Sequence, residues 1–248
     1  MSTKEHPTMT DRIPVIVYGE TGRMCRALSQ QIAGAADMQL LAHLPAREST
    51  STALADTLAT FEANAVICDF THRQSHANLI EALKQQPRRL VTGTSGLEQQ
   101  DERALLDHAQ QSAVIRGRNF SFGAVLARML IDSLGQLSRY DPVWQAAVID
   151  FHHQNKLDAQ SATARDWAEA WSGGDSKRNA PISSIRLGNG ISEHTFLAAG
   201  HGERLEIAHR LLSFDAPVAG AMAAIRFIAE RDIGLFEPRD LLLGGAAG

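Results

Sequence analysis

The chain has 248 residues, of which 44 % are hydrophobic, enough to build a sizeable core without disulfides or metals. Its formal net charge of −4, with histidines neutral, argues against a surface made for nucleic acid or anionic lipid. Cys25 and Cys68 lie far apart and neither has a second cysteine at metal-ligand spacing, so no metal site is expected. No run approaches the ~18 apolar residues of a membrane span. Met1 to Pro14 is polar and lacks the apolar centre of a signal peptide. The expectation is a soluble, cytoplasmic protein with a disordered leader of about a dozen residues.

In chain order, Pro14–Gly19 is a short β-branched run that stops at glycine. Met24, Leu28 and Ile32 then fall at helical spacing over Arg23–Ala33, with Gly34 as the stop. Met38–Leu44 and Ala65–Phe70 read as the next strands, and a helix is predicted from about Gln74 to Gln85. Arg89–Thr94, a helix near Leu97–Gln111 and a strand at Ala113–Arg116 continue the alternation. That order predicts an α/β domain with a parallel, Rossmann-type sheet covered on both faces. The pattern changes after Asn119. A helix from about Gly123 to Gln136 precedes strand candidates at Trp144–Phe151, Ser183–Leu187, Glu193–Ala198 and Arg204–Leu212, which predict an α+β unit with a mixed or antiparallel sheet. An alanine-rich helix, Pro217–Arg231, closes the pattern near Gly234.

The first chemical signal is the turn Gly19, Glu20, Thr21, Gly22, which leads from a strand into a helix opening with Arg23 and Met24. A glycine turn there lets backbone amides approach a pyrophosphate, and the helix N-terminus adds partial positive charge. Cys25 replaces the third glycine of the usual fingerprint, where a small side chain is tolerable. After the second strand, His43-Leu44-Pro45-Ala46-Arg47-Glu48 has no acid at the place expected of a ribose reader, and Arg47, close by, suits a 2′-phosphate. The expected cofactor is therefore NADPH or NADH, with Arg47 favouring the former. Two further strand exits, Gly93-Thr94-Ser95 and Gly117-Arg118-Asn119-Phe120, carry small polar groups able to bond a carboxamide, or simply to cap the next helix.

The second signal begins at a strand end. His152, His153 and Lys156 make a concentrated donor group, followed by Ser161, Ala162 and Thr163 where a helix starts. Imidazole titrates near neutrality, the lysine is a mobile charge, and helix-head amides bind anions. The group fits capture of a carboxylate and delivery of a proton. Two adjacent histidines without an obvious third ligand do not define a metal site.

His152-His153-x-x-Lys156-x-Asp158-Ala159-x-Ser161-x-Thr163-Ala164 resembles the signature of the 4-hydroxy-tetrahydrodipicolinate (dihydrodipicolinate) reductase family, His-His-x-x-Lys-x-Asp-Ala-Pro-Ser-Gly-Thr-Ala. Gly19-x-x-Gly22-Arg23-Met24, Asp69-Phe70-Thr71, Gly93-Thr94-Ser95-Gly96 and Asn119-Phe120-Ser121-x-Gly123 are similar to its other motifs. Glu193-His194-Thr195, Gly202-Glu203, His209 and Gly220-Ala221 follow in the family's order. The resemblance implies a nucleotide domain over 1–121, rejoined by 215–248, and a substrate-binding and tetramerisation domain over 122–214. It implies reduction of a cyclic imine dicarboxylate by NAD(P)H in lysine and diaminopimelate biosynthesis, within a homotetramer. In that scheme His152 is the acid/base, Lys156 the proton donor and His153 a substrate ligand, with the amides of Ala162 and Thr163 beside Ser161 holding a carboxylate. Gln160, Ala162, Phe214 and Pro45 stand where the family has proline, glycine, arginine and an acid, and the loops after Leu44 and around Trp171–Pro181 are shorter. Those departures keep two alternatives open: a reductase of the same fold for another cyclic imine, and a nucleotide-binding protein without turnover.

Overall fold

The computed structural model describes residues 12–47, 50–141, 143–156, 158–190 and 192–244. Residues 1–11 of the expected leader lie outside them. In chain order the elements are β1 (Ile13–Tyr18), α1 (Arg23–Gly34), β2 (Met38–Leu44), α2 (Ser51–Ala59), β3 (Val66–Asp69), α3 (Arg73–Leu83), β4 (Leu90–Thr92), α4 (Gln99–Ala109) and β5 (Ala113–Arg116). They continue as α5 (Phe122–Leu137), β6 (Gln145–His152), α6 (Ala162–Ser172), β7 (Ile182–Arg186), β8 (Ser192–Gly200), β9 (Glu203–Leu211), α7 (Asp215–Ala229), β10 (Gly234–Phe236) and α8 (Pro238–Leu242). The chain divides into two compact units, Met1–Gly117 with Val218–Gly248, and Arg118–Pro217. Among the described residues no helix is long and apolar enough to cross a membrane.

The first unit is a six-stranded sheet in the order β10-β5-β4-β3-β1-β2, with every pair parallel. Strands buried on both faces read as continuous apolar runs, and Val15, Ile16, Val17 and Tyr18 are all fully buried. One face packs on Leu54 and Leu58 of α2, Leu79 and Leu83 of α3 and Leu105 of α4. Strand order reverses between β1 and β3, where Tyr18 and Asp69 are register partners. The carboxyl ends of those two strands therefore open the crevice at which such sheets bind ligands. The C-terminal segment is tied into the same unit by Arg226, which donates to both oxygens of Asp37 at 2.6 and 3.1 Å.

Four elements differ from the sequence pattern. The stretch after Leu44, expected as a trimmed loop, contains α2. Its N-cap Thr50 accepts from the Ala53 amide, and Leu54, Ala55 and Leu58 bury one face. Nine residues give too few turns for periodicity to register, so tertiary burial decides the helix. The last long helix stops at Ala229 rather than Arg231, and Gly234, expected near its end, instead opens β10 with φ +121°. A three-residue strand and the five-residue α8 fall below the reach of any pattern.

The second unit is a mixed four-stranded sheet, β7-β6-β8-β9, in which only β6 and β7 run parallel. Its core joins Ala146 and Val148 of β6 and Phe196 and Ala198 of β8 to Trp167 and Trp171 of α6 and Ile131 of α5. The two helices cross closely at Gly135, where an added Cβ would lie 2.7 Å from the Trp171 carbonyl oxygen and 3.0 Å from that of Ala170. Backbone atoms cannot rotate away, so Gly135→Ala must separate the helices. We expect a loss of about 1–3 kcal/mol in urea unfolding, and an unchanged midpoint would show the crossing to be adaptable.

Candidate functional site

In the first unit the site grows out of one backbone conformation. Gly19 follows β1 with φ +119°, a region closed to L side chains, and an ideal Cβ there would sit 2.7 Å from Thr71 Cγ2 and 3.0 Å from Cys25 Sγ. The turn is cradled against β3's exit and can be made only by glycine. It delivers the chain to Gly22, the N-cap of α1, which makes no side-chain cap and has no acidic residue in its first turn. First-turn amides have no intrahelical acceptor, so this helix head is open to an anion. Cys25 is fully buried, with its Sγ directed at the carbonyls of Tyr18 (3.5 Å) and Phe70 (3.8 Å). Burial pushes its thiol up to about 11, so it packs rather than reacts.

A pocket at this crevice is lined by Gly19, Glu20, Thr21 and Gly22 after β1, Ala46 and Arg47 after β2, and Phe70, Thr71 and His72 after β3. Its floor is held by Asp69, which is fully buried. One carboxylate oxygen accepts from the Thr71 amide (3.0 Å) and hydroxyl (2.5 Å). The other meets the Thr92 and Thr94 hydroxyls (3.3 and 2.9 Å) and His76 Nδ1 (2.5 Å). The exits of β3 and β4 are thereby fixed together, and a bridge between His72 and Ser95 extends the pairing. Of the residues the sequence offered for a cofactor, Gly19, Glu20, Thr21, Gly22 and Arg47 line this pocket. Arg23 and Met24 begin α1, and Gly93, Thr94 and Ser95 leave β4, with Thr94 turned inward onto Asp69.

In the second unit, strand alternation builds the site. Asp150 and His152 are two apart on β6 and share a face with Val148. Their register partners are His194 and Ser192 on β8 and Ser184 and Arg186 on β7, with His209 of β9 next to His194. The same sheet face is thus apolar over Ala146, Val148, Phe196 and Ala198, and ionisable beyond them. Asp150 is fully buried. Its Oδ2 accepts from the Ser161 amide (2.9 Å), Arg186 Nη2 (3.0 Å) and the Ser184 hydroxyl (3.3 Å). Its Oδ1 faces His152 Nε2 at 3.1 Å and His194 Nε2 at 3.3 Å, close contacts that are not aligned as full hydrogen bonds. Burial works against the charge, but the imidazoles of His152 and His194 and the amide and hydroxyl of Ser161 outweigh it, holding Asp150 well below the usual carboxylate range.

The loop between β6 and α6 is pinned from below. Arg186 also donates to the carbonyls of Asp158 (2.9 Å), Ala159 (3.0 Å) and Asp150 (2.9 Å). Lys156 Nζ lies 3.1 Å from Asp158 Oδ2. Ser161 is the N-cap of α6, accepting from the Ala164 amide at 3.1 Å, and its Oγ is 3.0 Å from His194 Nε2. Its hydroxyl is therefore engaged within the protein. The Thr163 hydroxyl likewise accepts from Asn119 Nδ2 at 3.1 Å. What the loop presents to an anion is the amide head of α6 at Ala162 and Thr163. Ala162 is already helical, so its methyl carries no backbone strain. Arg118 pairs with Asp166 and Glu169 on α6. Asn119 Oδ1 accepts from the Ser121 amide, and Ser121 Oγ is 3.1 Å from His209 Nε2. Burial, and then the charge of His194, lower the His209 pKa. Gly123 is needed beside it, because a Cβ would lie 2.9 Å from the His209 ring.

Asp150, Arg186, Asp69 and His72 were not singled out from the sequence as site residues. An acid two places before His152 on the same strand was a usable signal, since period-2 alternation puts both on one face. The partners on β7, β8 and α6 carry no such local mark. Asp150, His152 and His194 do offer three metal-ligand atoms within 4.8 Å, a set that shares only His152 with the adjacent histidine pair read from the sequence. Arg186 already neutralises the carboxylate and Ser161 engages His194, so the cluster reads as a charge-paired network rather than a cation cage.

Residues 13–120 match the family described as dihydrodipicolinate reductase, N-terminus, and residues 120–242 match dihydrodipicolinate reductase, C-terminus. The chain belongs to the dihydrodipicolinate reductase family. The 4-hydroxy-tetrahydrodipicolinate reductase of Xanthomonas euvesicatoria pv. vesicatoria (strain 85-10) is 32 % identical over 243 residues, covering 94 % of this chain and 99 % of the relative. That of Nitrosomonas europaea is 30 % identical over 264 residues, covering 92 % and 97 %. The solved dipicolinate-bound dihydrodipicolinate reductase from Paenisporosarcina sp. TG-14 superposes with a TM-score of 0.70 at 20 % identity, covering 91 % of this chain and 97 % of that one. GenD2 from gentamicin A biosynthesis, solved with NAD, gives 0.52 at 12 % identity, covering 100 % and 91 %. These two likenesses show the fold: a Rossmann-like parallel sheet joined to a second, mixed sheet.

Two outcomes follow for this family member. Gly19→Ala should weaken dinucleotide binding at least about tenfold in fluorescence titration, because the turn cannot form around a Cβ; unchanged affinity would remove the turn from the cofactor site. The depressed Asp150 pKa makes its stabilising contribution complete above the unfolded value of 3.8 and lost as pH falls below it. Asp150→Asn should therefore flatten the fall in unfolding free energy between about pH 4 and pH 2, measured by urea titration at each pH.

Proposed function

We propose that the protein reduces 4-hydroxy-tetrahydrodipicolinate to tetrahydrodipicolinate, the activity named for its relatives, in lysine and diaminopimelate biosynthesis. The observation that carries the reading is the second unit's sheet end, where His152 and Lys156 stand with the amide head of α6. A bound nicotinamide dinucleotide supplies the hydride. The Gly19 cradle fits the pyrophosphate of such a group, since a Cβ would fill it. Gly19, Gly22 and the first turn of α1 hold that pyrophosphate, and Arg47 meets the ribose. NADPH is preferred over NADH because, among the described residues, the pocket wall after β2 offers the Arg47 guanidinium and no acid.

His153 and the amides of Ala162 and Thr163 bind the substrate's carboxylates. Lys156, 3.1 Å from Asp158, gives up the proton that accompanies reduction, and His152 exchanges protons with the ring. One hydride and one proton enter, and the substrate's hydroxyl leaves as water. Cationic donors placed there stabilise the charge that develops during reduction more than the ground state. A reductase of the same fold for another cyclic imine is the second reading, favoured by the Ala162 methyl at the amide head. The outer face of the mixed sheet exposes Ile185 beside half-buried Ile149 and Phe151, which supports the family's homotetramer.

Freshly generated 4-hydroxy-tetrahydrodipicolinate should drive NADPH oxidation; no turnover above background, with turnover of another cyclic imine, would move the assignment to the second reading. Lys156→Ala should lower kcat about 10²- to 10⁴-fold while leaving cofactor affinity nearly constant. Arg47→Ala should erode the preference for NADPH over NADH, measured as the ratio of the two kcat/KM values; an unchanged ratio places the discrimination elsewhere.

A further inference from the structure

We propose that Asp150 is a positioning residue, whose carboxylate fixes the ring and tautomer of His152 with one oxygen and the carboxylate-binding loop with the other. The inference rests on the reductase reading for its kinetic consequence, but its structural content stands apart from it.

The two oxygens of Asp150 do different work. Oδ2 is saturated by the Ser161 amide, Arg186 and Ser184, and so ties the N-cap of α6 to β6 and β7. Through Arg186 the tie reaches the Asp158 and Ala159 carbonyls, the backbone between Lys156 and Ser161. Oδ1 faces His152 Nε2 at 3.1 Å and His194 Nε2 at 3.3 Å, close contacts short of full hydrogen-bond alignment, and both it and His152 Nε2 are buried with no better-aligned partner. A carboxylate oxygen and an unprotonated imidazole nitrogen at that distance would set lone pair against lone pair, away from water. Nε2 of His152 therefore carries hydrogen, and Nδ1 is left as the atom that exchanges a proton. The charged or titratable groups around the ring are Asp150 on its own strand, Arg186 on β7 and His194 on β8, with His209 beyond it on β9. Only Asp150 is an anion, so it alone can hold the Nε2 hydrogen. His194 turns one nitrogen, Nε2, to both Asp150 Oδ1 and the Ser161 hydroxyl, 3.0 Å away.

A merely structural Asp150 would show its replacement by an amide in stability alone. A positioning carboxylate shows it in kcat and in the ring's tautomer as well, because an amide nitrogen or a neutral oxygen no longer dictates which ring nitrogen is protonated. The same logic makes a carboxylate behind a catalytic imidazole worth orders of magnitude in rate.

Long-range ¹H–¹⁵N spectra of the full chain labelled at histidine, without substrate or cofactor, test the tautomer directly. His152, assigned by the loss of its signal in His152→Asn, should show hydrogen on Nε2 and none on Nδ1 above its titration. A hydrogen on Nδ1 would overturn the proposal whatever the protein reduces. In the assay, Asp150→Asn should lower kcat by about 10²-fold or more with KM changed only a few-fold, and Asp150→Glu should recover part of the loss. A folded Asp150→Asn protein with wild-type kcat would overturn it. If the wild-type spectrum is as expected and no cyclic imine turns over, the reductase reading fails and the role of Asp150 in orienting His152 stands.

Discussion

A carboxylate withheld from water constrains everything packed around it, and at the chemical end of this protein that carboxylate is Asp150. It lies at the point where a sheet face changes from apolar to ionisable. Uncompensated, a buried charge there would be prohibitive. Compensation comes from β6, β7, β8 and the cap of α6, so each is placed by the same anion, and Arg186 carries the constraint on to the loop carbonyls. Ser161 cannot cap α6 in another position without losing the Asp150 bond, and Arg186 cannot leave without freeing both the carboxylate and the loop carbonyls.

The first unit uses a comparable device. Asp69, fully buried, gathers Thr71, Thr92, Thr94 and His76, and so joins two strand exits beside the Gly19 turn. In both units the fixed carboxylate lies under the loops rather than in them. Loops carry few apolar contacts of their own, so a rigid polar anchor beneath them supplies the order that a binding site needs. The Gly19–Thr71 approach is the complementary constraint: a turn of this shape exists only where no Cβ competes for the space.

Much of this was legible locally. The strand-turn-helix at Gly19–Gly22 and the His152–Lys156 cluster with Ser161 ahead of a helix announce themselves within a few residues, because turn and cap chemistry are short-range. The positions of β1, β2, β5 and β6 follow from apolar runs that need no knowledge of neighbours. α2, β10 and α8 did not follow, being too short for periodicity and stabilised by what they pack against. The hydroxyls of Ser161 and Thr163, plausible anion ligands by composition, prove to be engaged by Ala164, His194 and Asn119.

The amino-acid sequence by itself determined the class of fold, the glycine turn after β1 and the identity of the donor cluster, since each depends on residues within a few positions of one another. Tertiary structure alone decided which groups meet. Asp150 and His194 are 44 positions apart and become direct neighbours through antiparallel register; Arg186 reaches Asp150 through a parallel pairing on the other side. Register between distant strands is set by packing of the whole sheet rather than by either strand's own sequence, and that is why the environment of His152 emerged only with the fold.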